Sequence, residues 1–244
     1  MKKGLYLILN VKLIAGLTAS LFALVIIFTA FAAGKSVTAG NFNSTAKPII
    51  IIDAGHGGED GGTQSADGIL EKDINLSVSL KLNKILTRYG FKTVMIRDTD
   101  KLIYDEGSDT VRKRKSSDLH NRMDIMKKYD GCIFLSIHQN HFSESKYNGA
   151  QVFYCKSQRG SDVLADCIQK SIVNSLQKDN TRLIKPCTSS VYLIYNAVST
   201  AVMVECGFLS NADEAEKLND NTYQYEMALA IAKGLVNFVN TKGS

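Results

Sequence analysis

The sequence predicts an α/β fold: a single three-layer domain with a mostly parallel central sheet flanked by helices, preceded by one N-terminal hydrophobic helix. Three observations carry that expectation. Continuous apolar, β-branched runs at 48–53, 132–137 and 200–205 have the pattern of strands buried on both faces. Segments with apolar residues at helical spacing separate these runs. Alternation of this kind builds a layered sheet with helices on its faces.

Taken in order, residues 13–34 hold no charged side chain, and Leu21–Phe28 form their apolar centre. About 20 apolar residues cross a bilayer as a helix. Lys2, Lys3 and Lys12 precede the run, which keeps its start in the cytoplasm and sends the rest outward. Residues 1–34 therefore read as a membrane anchor, or as a signal peptide with a small-x-small cleavage site at Ala30-Phe31-Ala32. Residues 35–47 are small and polar, a linker. The folded domain covers 48–241 and opens with the strand 48–53. A helix is expected over 71–89, with apolar residues Ile74, Leu76, Val78, Leu80, Leu82, Ile85 and Leu86 at roughly helical spacing and Gly90 closing it. A strand over 91–97 follows, then a charged, turn-rich stretch over 99–116, where the run Arg112-Lys113-Arg114-Lys115 reads as a solvated loop. A helix near 117–129 leads to the strand 132–137. A strand over 149–155, a helix over 160–178, the strand 200–205 and helices near 210–219 and 222–239 complete the domain. No internal repeat is present, and no wall-binding module is expected after about residue 240.

Charge and cysteine content exclude other classes. Four of the five net positive charges are Lys2, Lys3, Lys12 and Lys35, in a segment with no acid. The remainder is almost neutral, which argues against a nucleic-acid surface. The five cysteines form no CxxC pair, so no disulfide framework is expected.

The chemistry is expected where parallel strands end, because ligands bind at the carboxyl edge of such sheets. His56 follows the first strand in Asp53-Ala54-Gly55-His56-Gly57-Gly58, Glu71 begins the first helix, His138 ends the third strand, and Glu205 ends the 200–205 strand. Two imidazoles and one carboxylate form a common Zn2+ triad with an open fourth position. A second carboxylate must then move protons between water and the leaving amine, and Glu205 is the candidate. Asp53 is expected to orient a ligand histidine from behind. The glycine-rich loop lacks the Lys-Ser/Thr of a phosphate-binding loop, and His141 and His120 are read as non-ligands.

The segments IIIDAGHGGEDGG, GILEKDINL, LSIHQNH and VMVECGFLSNADE occur in this order. Together they resemble the motifs of the zinc-dependent N-acetylmuramoyl-L-alanine amidases, the Amidase_3 family, over about 48–240. The resemblance implies that His56, Glu71 and His138 bind zinc and that Glu205 is the catalytic acid/base. Arg122 matches the family's arginine before the third strand and is expected to shape the site. Asn140 is expected nearby, against the ligands or the substrate. The implied reaction is hydrolysis of the amide between the lactyl carboxyl of N-acetylmuramic acid and the L-alanine of the stem peptide. Without wall-binding repeats or an inhibitory helical insertion, the chain is most similar to the spore-cortex members of the family, which strip stem peptides before muramic δ-lactam forms. The implied partners are peptidoglycan, the cytoplasmic membrane through the N-terminal helix, and an activating or localising protein. The implied place is extracytoplasmic, membrane-anchored or secreted, in the space around the forespore. Other readings are a non-catalytic peptidoglycan-binding protein, a vegetative autolysin, or a zinc peptidase or deacetylase. Gln139 stands where the family usually has alanine, and Thr200 where proline is common.

Overall fold

The structure, a computed structural model, describes residues 47–242. The expected anchor or signal segment 1–34 and all of the linker but Lys47 lie outside these residues. Among the described residues no helix is long and apolar enough to cross a membrane.

Six strands form one sheet: β1 (Ile50–Ala54), β2 (Thr93–Met95), β3 (Ile133–Asn140), β4 (Gln151–Tyr154), β5 (Lys185–Pro186) and β6 (Thr200–Phe208), in the order β2-β1-β3-β6-β4-β5. All neighbours are parallel except β4, which runs antiparallel to β6. The helices are α1 (Glu71–Arg88), α2 (Val111–Lys127), α3 (Ser161–Ser175), α4 (Tyr192–Tyr195), α5 (Ala212–Asn219) and α6 (Asn221–Lys242).

Side chains alternate along the strands, and each face has its own core. Ile50 and Ile52 of β1, Leu135 and Ile137 of β3, and Val202 and Val204 of β6 pack with α1, α3 and α6. Ile51, Phe134 and Met203 face the other way, with Met123 and Met126 of α2 and Leu193 and Ile194 of α4. The continuous apolar runs follow directly from this double burial. The helix after β1 covers one face and the helix after β2 covers the other. The chain leaves β1 for β2 on one side and returns to β3 on the other, so β1 and β3 flank a topological switch point. They are bonded in register from Ile50↔Ile133 to Ala54↔Ile137.

The end of α1 shows how sequence sets a boundary. Gly90 adopts φ 77°, its N–H bonds the Thr87 carbonyl at 2.9 Å, and the Phe91 N–H bonds the Leu86 carbonyl at 3.1 Å. This pair of bonds is a Schellman motif, and the buried Leu86 and Phe91 supply its apolar contact.

Several expectations are corrected. Residues 111–116 are the start of α2 and not a loop: Thr110 caps the helix by accepting from the Lys113 N–H at 3.2 Å. His138 and Glu205 lie within strands rather than at their ends, because the β3–β6 ladder runs on past them with a register shift between His138 and Asn140. The strand expected over 91–97 contracts to three residues at the sheet edge. The two-residue β5 and the single-turn α4 were not foreseen. All five cysteines are free thiols.

Candidate metal centre

The loop after β1 is shaped by two buried arginines. Arg97 donates from Nε to the Ala54 carbonyl at 2.8 Å and from NH2 to the Gly55 carbonyl at 2.9 Å. Arg122 donates to the Ala54 carbonyl at 2.9 Å and to the His56 carbonyl at 2.8 Å. Three consecutive carbonyls are thus held by guanidinium groups, and the chain between them turns sharply. His56 takes φ 62°, the single positive φ outside glycine among the described residues. A non-glycine residue in this region costs about 1–3 kcal/mol and persists where its surroundings over-determine it.

Glu71, the first residue of α1, is buried and gathers the site around it. Its Oε1 lies 2.9 Å from His138 Nδ1 and 3.3 Å from His56 Nε2. The same oxygen accepts from the Gln139 N–H at 3.1 Å and Asn75 Nδ2 at 3.2 Å, and Oε2 accepts from the Thr63 N–H at 2.9 Å. Burial opposes its charge, but hydrogen bonds to His138 and His56 outweigh that and hold it far below the usual carboxylate range. The helix places Glu71 here because the loop feeds its first turn: the Glu71 and Lys72 N–H groups bond the Thr63 and Gly61 carbonyls at 2.9 and 3.1 Å. One donor atom each from His56, Glu71 and His138 lie within 4.8 Å of one another.

Glu205 pairs with His138 across the β3–β6 ladder, and so shares its face of the sheet. Burial pushes its carboxyl up to about 7; His138, His56 and Arg182 oppose the rise, and Glu71 adds to it.

The remaining expected residues are placed differently. Asp53 does not orient a ligand histidine. It is buried and accepts from Arg122 NH1 at 2.5 Å and Ser136 Oγ at 2.6 Å, while Arg122 Nε donates to Asp118 at 2.6 Å. Asp60 takes the orienting place instead, with Oδ2 2.9 Å from His56 Nδ1. Burial lowers the basicity of His56, but hydrogen bonds and charges from Asp60 and Glu71 prevail and raise it to about 9. Asn140 caps its own turn, accepting from the His141 N–H at 2.8 Å, and is not among the groups that bond the ligands. His120 packs edge-on against Tyr192. Gln139 is buried and donates to Asn75 Oδ1 at 3.0 Å, extending the polar network behind Glu71. Thr200 Oγ1 bonds the Arg159 carbonyl at 3.2 Å, away from the ligands. Asp60 and Arg97 escaped the sequence analysis. The one signal for Asp60 is an acid four residues after a histidine in a glycine-rich loop.

His56, His138, Asp60, Lys115, Leu119 and Leu193 line a cleft of about 160 Å³. A larger hollow of about 970 Å³, lined by Gln177, Asp179, Glu214 and Tyr223 among others, holds no imidazole. Donor chemistry, and not size, selects the smaller cleft.

Residues 50–237 match the Amidase_3 family, described as N-acetylmuramoyl-L-alanine amidase. The chain is 33% identical over 195 residues to the germination-specific N-acetylmuramoyl-L-alanine amidase of Bacillus subtilis, covering 80% of this chain and 81% of that one. Among solved structures it is similar to the CwlD amidase from Clostridioides difficile in complex with the GerS lipoprotein, with TM-score 0.77 and 39% identity over 80% of this chain and 99% of that chain. The amidase AmiC2 of Nostoc punctiforme has TM-score 0.68 and 27% identity, covering 80% of this chain and 98% of its own.

Proposed function

The chain belongs to the Amidase_3 family of N-acetylmuramoyl-L-alanine amidases, and from that premise we propose that it is a zinc-dependent hydrolase of peptidoglycan. The bond cut is the amide between the lactyl carboxyl of N-acetylmuramic acid and the L-alanine of the stem peptide. The observation that carries this reading is the convergence of His56, Glu71 and His138, with Glu205 opposite His138. Two imidazoles and a carboxylate are a donor set suited to zinc, and one donor atom of each lies within 4.8 Å of the others, so these three side chains would hold the ion. When bound, zinc supplies Lewis acidity toward the amide carbonyl and lowers the pKa of water to about 7.

The protein's own residues do the rest. Glu205 takes a proton from the attacking water and delivers it to the alanine nitrogen as the C–N bond breaks. Glu205 sits opposite His138 on the same face of the sheet, and its burial in the metal-free site favours the protonated carboxyl. Asp60 fixes the ring orientation of His56 and its Nε2 toward Glu71. Arg97 and Arg122 hold the carbonyls of the loop that carries His56.

The similarity to a germination-specific amidase and to CwlD supports action in spore-cortex maturation, where removing the stem peptide frees the lactyl carboxyl for muramic δ-lactam formation. The complex of CwlD with a lipoprotein supports a protein partner for activation or localisation. We assign its place of action to the extracytoplasmic space around the forespore, with residues 1–34 as anchor or signal.

The test is mass spectrometry of products after incubating the full chain and zinc with purified cortex and vegetative peptidoglycan. The expected products are peptides with a free L-alanine amino terminus and muramic acid with a free lactyl carboxyl, formed faster from cortex. Binding without release would leave a non-catalytic wall-binding protein. Loss of acetyl groups would mark a deacetylase, and equal rates on both substrates a general autolysin.

A further inference from the structure

The first turn of α2 carries Arg112, Lys113, Arg114 and Lys115 and no acid. That is the unfavourable end for cations, because the helix N-terminus already bears partial positive charge. Two of these bases have partners far off in sequence. Arg114 forks onto Glu59, with Nε on one carboxylate oxygen and NH2 2.7 Å from the other. Lys115 Nζ lies 2.9 Å from Asp60 Oδ1. Glu59 and Asp60 are adjacent residues of the loop that carries His56. Asp60 uses its second oxygen for His56 Nδ1 at 2.9 Å, so Lys115, Asp60 and His56 form a continuous chain.

Arg114 is itself held. Its NH1 donates to the Ser108 carbonyl at 3.2 Å, and its guanidinium lies 5.7 Å from the Tyr104 ring centre. On the other side of the loop, Lys72 Nζ donates to the Gly58 carbonyl at 2.7 Å, and Asp100 accepts from the Gly58 N–H at 2.7 Å.

We propose that the first turn of α2 is a clamp whose positioning residues, Arg114 and Lys115, hold the 56–62 loop in its metal-binding shape. The inference rests on the zinc reading of the site. Exposed ion pairs contribute little to global stability one by one. Here they act on a loop whose left-handed residue is a ligand, so their effect falls on metal affinity rather than on the fold. Residues that orient metal ligands typically change affinity 10–100-fold when lost. Two of the four bases, Arg114 and Lys115, then have a reason to sit near an unfavourable helix end: from there they reach the loop.

The experiment measures zinc affinity of the full chain by competition with a chromogenic chelator. The R114M/K115M variant is expected to bind zinc at least tenfold more weakly, with the melting temperature of the metal-free protein nearly unchanged. K115R should recover much of the loss in K115M, and the charge swap E59R/R114E should bind more tightly than R114E alone. Wild-type affinity in R114M/K115M overturns the clamp. If the wild-type chain takes up no zinc, the metal reading falls instead. The clamp is then judged by hydrogen exchange across 56–62 in the metal-free chain, where unchanged exchange in R114M/K115M overturns it.

Discussion

Glu205 faces His138 directly across the β3–β6 ladder, yet its Oε2 is buried without a hydrogen-bond partner. A buried carboxylate oxygen without a partner is costly, and the carboxyl responds by holding its proton to about pH 7. Glu205→Gln should keep zinc and lose turnover by about 10²–10⁴-fold, the usual worth of a positioned acid/base. Metal content and kcat on muropeptides check this; wild-type turnover would remove Glu205 from the chemistry.

The same carboxyl should mark the pH dependence of stability. Its pKa is raised in the folded metal-free protein from 4.5 to about 7. The folded state therefore holds a proton that the unfolded chain has lost, and stability falls as pH rises from about 4.5 to about 7, by an amount of order 3 kcal/mol. Glu205→Gln should flatten that decline in denaturant titrations of the metal-free protein.

Zinc uptake should also depend on pH, through His56. Its proton, held to about pH 9, must leave before the ring binds metal. Apparent affinity should rise about tenfold per pH unit below about 9 and level off there. The same raised pKa stabilises the metal-free fold fully below about 6.5, a contribution lost as pH rises through about 9. Chelator competition at a series of pH values measures the first effect, and a flat profile would contradict it.

Arg122 is buried between Asp53 and Asp118 and also holds the Ala54 and His56 carbonyls. Arg122→Met would leave two buried carboxylates unpaired and should cost about 3–5 kcal/mol in denaturant unfolding. Arg122→Lys should rescue little, because one ammonium cannot serve a planar fork of acceptors.

Gly55 stands against the ligand ring: a Cβ there would lie 2.3 Å from His138 Cε1 and Nε2. Gly55→Ala should fold and bind zinc at least tenfold more weakly, because the imidazole must move. Circular dichroism and zinc content together check this, and wild-type zinc content would contradict it.

The core strands were legible because burial on both faces writes an unbroken apolar run, as at Ile50–Ile52 and Phe134–Ile137. The start and stop of α1 were legible in Glu71 and Gly90. Much of α2 was not. Its buried residues are Asp118, Arg122, Met123 and Met126, so half of its buried face is charged and the apolar period is faint. Its first turn depends on a threonine cap and on acids in another loop. The orienting role went to Asp53, and Asp60 was overlooked, for a related reason. Asp53 lies nearer the strand, but the strand aims it at Arg122 and Ser136, and only the left-handed turn at His56 brings Asp60 back onto the ring. Arg97, alone at the end of the expected 91–97 strand, carries in the sequence no sign of the Ala54 and Gly55 carbonyls that it holds.

His138 lies within β3, and the loop that carries His56 leaves β1 two residues earlier; the two strands are bonded in register over five residue pairs. The sheet, with a strand spacing of about 4.8 Å, therefore fixes where that loop begins, and the bonds of Arg97 and Arg122 to its carbonyls fix where its histidine ends. The 141–149 segment, which follows β3, makes none of the hydrogen bonds described for that loop. A change of length there would leave the two imidazoles where β1, β3 and the two buried arginines put them.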